Sequence, residues 1–491
     1  MRTLLPTVLG LVALVLAPTR ALSNGRFPSA DYFIAGPGPS NETLVLRTTF
    51  GLIVSRDFGR TWGWVCEGAY DLAATMRDPT VAVGVGGRVT VTLPDGMMFS
   101  TPDFCTWTPS VGSPRSSVVD VAQDARGATL VAAAGPNGTD DRLLVSHDGG
   151  RTWTAGATVP DLFSETVEVA PSDPRRIYLS GFLRGGISVL FRSDDGGMTV
   201  REMTRAFDGG QSAFLSAVDP TNPDVVWVRS NLGLGTLLLR SRDGGATFQR
   251  VAETRDLMRG FALSDDGATV WYASADRAEG MFRSVQGGPF TRLSTRLNVR
   301  CLRYNAGLLF VCADEAVDGF SLGCSADRGD TIDPLLSLRA LPGPVANCPG
   351  GTSVGSTCPA LWPAQQMILR DIDAGPPPTP RGHDAGPDVP DAPAPPDAGS
   401  PRDVSPDLVG AGADVGIDVV SDTPEFDRPD SSQDVPSVEV GMTLPPRGST
   451  PQACTCRTTP GATPRGAAWL WGLCLTLLGR RRRAVRVPRA T

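Results

Sequence analysis

Acidic side chains are the residues of this chain that could supply acid–base chemistry in quantity. The 491-residue sequence contains two histidines, His147 and His383, so Ser-His-Asp or Cys-His catalysis has little support. No C-x-x-C motif occurs, and we predict neither a metal site nor a cofactor. Glycoside hydrolysis requires two carboxylates on one face of a cleft. The acids considered for that role are Asp140, Asp141, Asp265, Asp266, Asp314, Glu315 and Asp318. Adjacent acids in loops are usually solvated turn residues, so these seven alone do not predict an enzyme.

A short string of residues recurs along the first two thirds of the chain. Its full form is Ser-x-Asp-x-Gly-x-Thr-Trp, and we call each copy a box, with positions 1 to 8. Four copies are clear, at residues 55–62, 146–153, 193–200 and 241–248. Three are weaker, at residues 101–107, 284–290 and 325–332, and the second of these lacks the Asp. The residues that keep the pattern are Ser55, Asp57, Gly59, Trp62, Asp103, Trp107, Ser146, Asp148, Gly150, Trp153, Ser193, Asp195, Gly197, Ser241, Asp243, Gly245, Phe248, Ser325, Asp327 and Gly329.

The boxes are evenly spaced. Their first residues follow one another at intervals of 41 to 48 residues, which matches one four-stranded blade of a β-propeller. In a hairpin the Asp can accept backbone N–H groups across the turn, the Gly supplies a positive φ, and the terminal aromatic packs between sheets. Residues 43–48 and 51–55 have the composition of strands that lead into the first box. We therefore predict an all-β fold, a seven-bladed β-propeller over residues 27–340.

The boxes resemble the Asp-box, or BNR, repeat of sialidases, sortilin-type domains, xyloglucanases and photosystem II assembly-factor propellers. The resemblance covers about residues 30–340. It implies that the box is a folding element on the blade periphery, away from the ligand face, so its aspartates are not expected to be catalytic. Seven boxes favour the seven-bladed ring of several binding members over the six blades typical of sialidases.

A sialidase-like activity would need an arginine cluster, a tyrosine nucleophile with a glutamate partner, and an acid/base aspartate. Arg26 resembles the arginine motif and Tyr304 beside Arg303 could mimic the nucleophile, but the other arginine contexts are missing. Trp227 and Trp271 could stack on sugars, although strand aromatics are usually core residues. We therefore expect a non-catalytic binding module for an extracellular glycan or protein. The alternative is a secreted glycoside hydrolase of the sialidase or xyloglucanase type, which two inward-facing carboxylates in one polar, open cleft would favour.

The cysteines indicate an oxidising compartment. Ten are present, and in an exported chain such a number predicts disulfides. Two lie in adjacent blades, two flank a hairpin, and two would close a Pro/Gly-rich loop, residues 341–370, after the last blade. The expected pairs are Cys66 with Cys105, Cys301 with Cys312, and Cys348 with Cys358. This assignment places Cys324 in no disulfide unless the pairs are exchanged.

The N-terminus has the features of an export signal. Arg2, the apolar run 8–16 and the small-residue exit 18–21 predict a signal peptide over residues 1–21. The net charge of the whole sequence is −7. The strongly acidic and strongly basic stretches both lie after residue 370, and residues 1–370 carry a net charge of about −3. A globular part without basic excess does not attract nucleic acid, so none is expected as a partner.

The C-terminal part contains a linker and a sorting motif. Residues 371–453 are rich in Pro and Asp, a composition that predicts a disordered linker. Cys454 and Cys456 follow, then an apolar segment expected to form a short helix, then an arginine cluster. This order resembles the MYXO-CTERM sorting signal, here residues 454–483, ahead of a basic tail, residues 484–491. The resemblance implies processing by envelope sorting machinery, retention at the outer cell surface or release, and membrane contact through this segment only.

Overall fold

The computed structural model describes residues 27–37, 42–72, 78–135, 140–207 and 212–372. Within them the chain forms seven antiparallel sheets of four strands each. The fold is a seven-bladed β-propeller, which confirms the prediction from the spacing of the boxes. The predicted signal peptide, the predicted linker beyond residue 372, the sorting motif, the C-terminal helix and the basic tail lie outside the described residues.

Each blade consists of four strands that follow one another in the chain, and we number blades and strands in chain order. Blades 1 to 3 contain β1 Ala30–Ala35, β2 Leu44–Thr48, β3 Gly51–Ser55, β4 Gly63–Cys66, β5 Val81–Val83, β6 Val89–Leu93, β7 Gly96–Ser100, β8 Trp107–Pro109, β9 Val118–Gln123, β10 Leu130–Ala134, β11 Asp140–Ser146 and β12 Thr154–Pro160. Blades 4 and 5 contain β13 Leu162–Ala170, β14 Asp173–Leu183, β15 Ile187–Ser193, β16 Arg201–Arg205, β17 Phe214–Val218, β18 Val226–Leu232, β19 Gly235–Ser241 and β20 Gln249–Thr254. Blades 6 and 7 contain β21 Met258–Leu263, β22 Thr269–Ser274, β23 Met281–Val285, β24 Thr291–Arg292, β25 Val299–Asn305, β26 Leu308–Ala313, β27 Leu322–Ser325 and β28 Asp333–Leu336. The helices are α1 Glu315–Asp318 and α2 Ser353–Arg370, with 3-10 turns at Glu67–Tyr70 and Leu338–Ala340.

The first strand of each blade lies innermost in the ring. Contacts join the first strands of successive blades, for example β9 with β13, β13 with β17 and β21 with β25, and β1 meets β25 to complete the circle. Buried aliphatic and aromatic side chains fill the space between the sheets. Every sheet keeps the strand order 1-2-3-4, so the last blade is complete without an N-terminal strand. The ring therefore closes by other means than strand exchange.

The chain that follows the last blade closes the ring against blade 1. The Trp64 N–H donates to the Gly343 carbonyl at 2.8 Å, and the Val345 N–H donates to the Trp64 carbonyl at 3.1 Å. These bonds form a parallel bridge along the outer strand of blade 1. Helix α2 then packs on β4 and on the 3-10 turn behind it.

Helix α2 occupies residues for which the sequence predicted a loop, and that prediction is wrong for residues 353–370. Pro359 and Pro363 suggested a loop because proline in a helix interior removes a hydrogen bond. The Thr352 side chain caps the helix by accepting a backbone N–H, and Val354 and Leu369 are buried against the blades. Packing and cross-linking thus offset the two prolines.

Two of the three disulfides among the described residues attach this closing segment to the first two blades. The structure forms the pairs Cys66–Cys358, Cys105–Cys348 and Cys301–Cys312, with Cα–Cα distances of 5.4, 5.2 and 4.8 Å. The expected pairs Cys66–Cys105 and Cys348–Cys358 are therefore wrong. The reason is that the segment after blade 7 lies across both blades and brings one cysteine to each. The third pair is the expected one, between directly opposed residues of β25 and β26. Cys324 is buried in β27.

Candidate functional site

The two ends of the ring differ in what they carry. Because the strands of a blade alternate in direction, the turns between strands 1 and 2 and between strands 3 and 4 lie at one end. The boxes connect strands 3 and 4, so we call this end the box face. The turns between strands 2 and 3 and the connections between blades lie at the other end, which we call the loop face.

Five boxes share one set of hydrogen bonds. In blade 3 the Ser146 hydroxyl donates to Asp148 Oδ1 and the Gly150 N–H donates to Ser146 Oγ, both at 3.0 Å. The N–H and hydroxyl of Thr152 donate to the Asp148 carboxylate at 2.9 and 2.7 Å. The same four bonds occur in the boxes that begin at Ser55, Ser193, Ser241 and Ser325. These carboxylates therefore fix a turn, and both of their oxygens are occupied by it.

Titratable side chains from four blades converge near the axis of the ring. Tyr32 lies on β1, Asp120 on β9, Glu168 on β13 and Arg303 on β25. The charges of Arg303, Asp120 and Glu168 all act on the pKa of Tyr32. These strands are the innermost ones of blades 1, 3, 4 and 7, and the influence of the three charges on Tyr32 indicates that the four side chains lie near one another. We call these four residues the axial cluster.

Burial raises the pKa values of three members of the axial cluster, Tyr32, Asp120 and Glu168. Burial, and then the negative charge of Asp120, raise the pKa of Glu168 to about 8. Burial raises the pKa of Asp120 to about 6, although a hydrogen bond from the Val167 backbone opposes it. Burial also raises the pKa of Tyr32 to about 12. The pKa of Glu168 thus lies above that of Asp120, which is the kind of split that acid–base pairs use.

Asp120 also ties two blades together. Its carboxylate accepts the backbone N–H of Val121 at 2.9 Å and that of Val167, on the inner strand of the next blade, at 3.0 Å. The Arg47 guanidinium near the cluster likewise donates to the carbonyl of Pro79, at the start of blade 2, at 3.0 Å. These hydrogen bonds of Asp120 and Arg47 thus hold neighbouring blades in register.

The carboxylates that the sequence offered for hydrolysis are mostly held by structural hydrogen bonds. Glu315 accepts four hydrogen bonds, one from Ser321 and three from residues 337–339, which directly follow blade 7. Asp314 caps helix α1, and Asp141 and Asp318 each accept a backbone N–H. Asp266 accepts hydrogen bonds within its own turn. These five residues therefore have structural roles, and none of them belongs to the axial cluster.

Sequence reasoning missed Asp120 and Glu168, which are acids inside strands of different blades. A signal for them is present, since β9 reads VVDVAQ and β13 reads LFSETVEVA. An acid within an otherwise apolar strand is costly to bury, so it marks a position that faces a polar space. Recognising that space requires knowing which strands are innermost.

The tyrosine and aromatics singled out in the sequence belong to the packing between blades. Tyr304 stacks on Trp271 with ring centroids 5.3 Å apart. Arg303 precedes it on β25, and successive strand residues face opposite sides, so Arg303 and Tyr304 do not form one site. Trp227 and Trp271 are buried, as core residues are. Arg26 lies outside the described residues.

Exposed apolar side chains occur at the loop-face ends of strands and turns in blades 4 and 5. Phe163 lies near the start of β13, Ile187 begins β15, Leu232 ends β18, and Leu234 lies in the turn between β18 and β19. The Leu234 side chain is 85% exposed. We call these four residues the loop-face patch. Phe163 and Ile187 face opposite sides of blade 4, and Leu232 and Leu234 are close together in sequence in blade 5. Exposed apolar side chains at one end of a ring are candidates for a binding surface.

Metal and membrane sites were considered for the described part of the chain. Within it, no group of three His, Cys, Asp or Glu side chains is placed to hold a metal ion. No helix among these residues is both long enough and apolar enough to cross a membrane.

The sheets define the class of protein, a seven-bladed β-propeller. No protein-family model matches the sequence, and no curated protein matches it. Among solved structures it is similar to the GH74 enzyme of Niastella koreensis, with 19% identity, a TM-score of 0.40, and coverage of 53% of this chain and 47% of that one. It is also similar to YCF48 from Cyanidioschyzon merolae, with 15% identity, a TM-score of 0.36, and coverage of 50% of this chain and 80% of that one. A chain of a nidogen/laminin complex is similar too, with 10% identity, a TM-score of 0.36, and coverage of 52% of this chain and 91% of that one. This chain spans about half the length of the first structure, and these likenesses concern the fold alone.

Proposed function

We propose that this chain is an exported, surface-tethered binding module that recognises an extracellular protein or glycan without catalysis. The observation that carries the proposal is the loop-face patch, which presents apolar side chains from short turns on a rigid ring. Three disulfides support an exported protein, because such bonds persist in oxidising compartments.

The chemistry of the patch favours a protein ligand over a glycan. Leu232, Leu234 and Ile187 are aliphatic, and such side chains gain most from burial against other apolar groups. Full burial of one of them contributes roughly 1.5–3 kcal/mol. Sugars, in contrast, stack on aromatic rings, and Phe163 is the one aromatic of the patch.

The test is binding of the purified protein to arrays of envelope proteins and glycans, with hydrolysis products assayed in the same wells. Leu234→Asp is expected to weaken binding at least about tenfold, because it removes apolar burial at the most exposed position. Met198→Asp is the matched control, since Met198 is 65% exposed but lies in the box of blade 4 on the opposite face. Binding that withstands Leu234→Asp and Ile187→Asp would contradict the proposal.

The axial cluster supports a second candidate, a glycoside hydrolase. Its protonated Glu168 would donate a proton to a leaving oxygen, and the ionised Asp120 would act as base or nucleophile. The two backbone hydrogen bonds on Asp120 speak for the structural role instead. Product release that is abolished by Glu168→Gln, with glycan binding intact, would replace the binding proposal by this one.

Two finer assignments belong to the same proposal. The four hydrogen bonds that five boxes share support their assignment to the Asp-box class. The sequence of residues 454–483 supports a MYXO-CTERM-type sorting role. A Cys454→Ala/Cys456→Ala variant is expected to lose retention at the cell surface, which surface labelling of intact cells measures. Unchanged labelling would remove the sorting role and leave the binding proposal standing.

A further inference from the structure

Blades 4, 5 and 6 carry an aromatic–arginine pair at one register position of strands 2 and 3. The opposed residues are Tyr178 and Arg192, Trp227 and Arg240, and Trp271 and Arg283. In each blade the arginine directly precedes position 1 of the box. The pairs therefore occupy equivalent positions at the box-face ends of their blades.

In two of the pairs the arginine donates to the box of the following blade. Arg192 Nη1 donates to the Gly244 carbonyl of blade 5 at 3.1 Å. Trp271 Nε1 and Arg283 Nη1 donate to the Arg328 carbonyl of blade 7 at 2.8 and 3.0 Å. Gly244 and Arg328 both occupy position 4 of their boxes. The carbonyl at position 4 is thus the common acceptor.

Blade 6 does not offer this acceptor to blade 5. Its box lacks the Asp, and the chain makes a two-residue hairpin turn in which the Gly288 N–H donates to the Val285 carbonyl at 3.0 Å. Gln286 and Gly287, at positions 3 and 4, have φ of 51° and 71°, whereas the intact boxes have positive φ at positions 4 and 5. A cleft of about 880 Å³ lies between blades 5 and 6 at this point.

Two buried donors of blade 5 are left without a partner beside the cleft. Trp227 Nε1 and Arg240 Nε make no hydrogen bond, although Trp227 is only 3% exposed and both residues line the cleft. The guanidinium carbon of Arg240 lies 5.3 Å from the centroid of the Trp227 ring. Burial, and then the positive charge of Arg242, lower the pKa of Arg240. Such unsatisfied donors are costly, roughly 1–3 kcal/mol each, unless a ligand completes them.

We propose that this cleft binds a short acidic peptide segment of a partner protein, which gives a backbone carbonyl to Trp227 and a carboxylate to Arg240. The contact between blades 6 and 7 shows the template, because Arg283 of blade 6 donates both to the Arg328 carbonyl of blade 7 and, at 3.0 Å, to the carboxylate of Asp330 two residues later. A peptide with an Asp two residues after the accepting carbonyl would reproduce both bonds. This site lies on the box face and does not depend on the loop-face patch.

The test follows the indole N–H resonances of the full chain by ¹⁵N NMR. The chain contains nine tryptophans, and the Trp227 resonance is the one that Trp227→Phe removes. Addition of acetyl-Ala-Gly-Asp-Thr-amide is expected to shift this resonance in a saturable way. The isosteric peptide with Asn in place of Asp, and the variant Arg240→Gln, are each expected to weaken binding by roughly 10- to 100-fold, the range for a hydrogen bond to a charged group.

Arg283→Gln is the matched control, since Arg283 already has its partners in blade 7. It is expected to leave the peptide affinity unchanged. The remaining indole resonances report that each variant is folded. Three outcomes would each overturn the proposal. They are equal binding of the Asp and Asn peptides, tighter binding of an acidic sugar such as galacturonate than of the peptide, and a Trp227 resonance that does not move.

Discussion

Removal of the two disulfides that close the ring is expected to cost far more stability than removal of the hairpin disulfide. A cross-link lowers the entropy of the unfolded chain by an amount that grows with the logarithm of the enclosed length. The sequence separation is 292 residues for Cys66–Cys358 and 11 for Cys301–Cys312. At 25 °C these lengths correspond to about 5.7 and about 2.8 kcal/mol.

The contribution of Cys105–Cys348 depends on the larger loop that surrounds it. With Cys66–Cys358 intact it closes a loop of roughly 50 residues, made of the stretches 66–105 and 348–358, which corresponds to about 4 kcal/mol. Loss of both closing disulfides should therefore lower the free energy of unfolding by about 10 kcal/mol. That is comparable with the total stability of an ordinary domain, about 5–15 kcal/mol.

The assay is guanidinium unfolding followed by tryptophan fluorescence for three Cys→Ser variants. These replace both closing disulfides, Cys66–Cys358 alone, or Cys301–Cys312 as the control. Hydrogen exchange at the Trp64 and Val345 amides, whose bonds form the closing bridge, is expected to rise in the first variant and not in the control. If the first variant loses no more stability than the control, the packing of α2 closes the ring and the entropic reasoning is refuted.

Two pH effects follow from shifted pKa values. The pKa of Asp195 is about 2 in the folded protein, chiefly because the Thr199 hydroxyl donates to it, and its ordinary value is 3.8. The stabilisation from ionised Asp195 is thus present above pH 4 and is lost as the pH falls toward 2. Asp195→Asn should therefore make the free energy of unfolding depend less on pH between 4 and 2. An unchanged dependence in this range would contradict the role of Asp195. The pKa of Glu168 is raised from 4.5 to about 8, chiefly by burial. The stabilisation from protonated Glu168 is therefore fully present below pH 4.5 and is lost as the pH rises through 8. Glu168→Gln should remove this loss of stability, which thermal unfolding between pH 5 and 9 measures. Identical pH profiles for the variant and the unmodified protein would disprove this.

The repeated boxes made the number of blades predictable, because each box is a local turn whose residues carry its own hydrogen bonds. Even the weak copy at Ser325 keeps all four bonds. The disulfide pairing was not predictable in the same way. It depends on where residues after the last blade lie, and α2 brings Cys358 to a residue 292 positions earlier.

The candidate sites depend still more on tertiary structure. That Asp120 and Glu168 meet near the axis follows from the position of their strands in the ring, which no short motif encodes. The missing Asp of the box in blade 6 is visible in the sequence. Its consequence for Trp227 and Arg240 is visible only after the same register position has been compared in three blades.

Blade 5 carries both proposed binding surfaces, and its geometry makes them separable. Strand β19 begins beside Leu234 on the loop face and ends beside Arg242 on the box face. Its seven residues span roughly 20 Å, so a short peptide in the cleft cannot also reach the loop-face patch. Leu234→Asp should therefore leave peptide binding unchanged, and Arg240→Gln should leave protein binding at the patch unchanged. A change in both affinities from either substitution would mean that the two faces communicate along this strand.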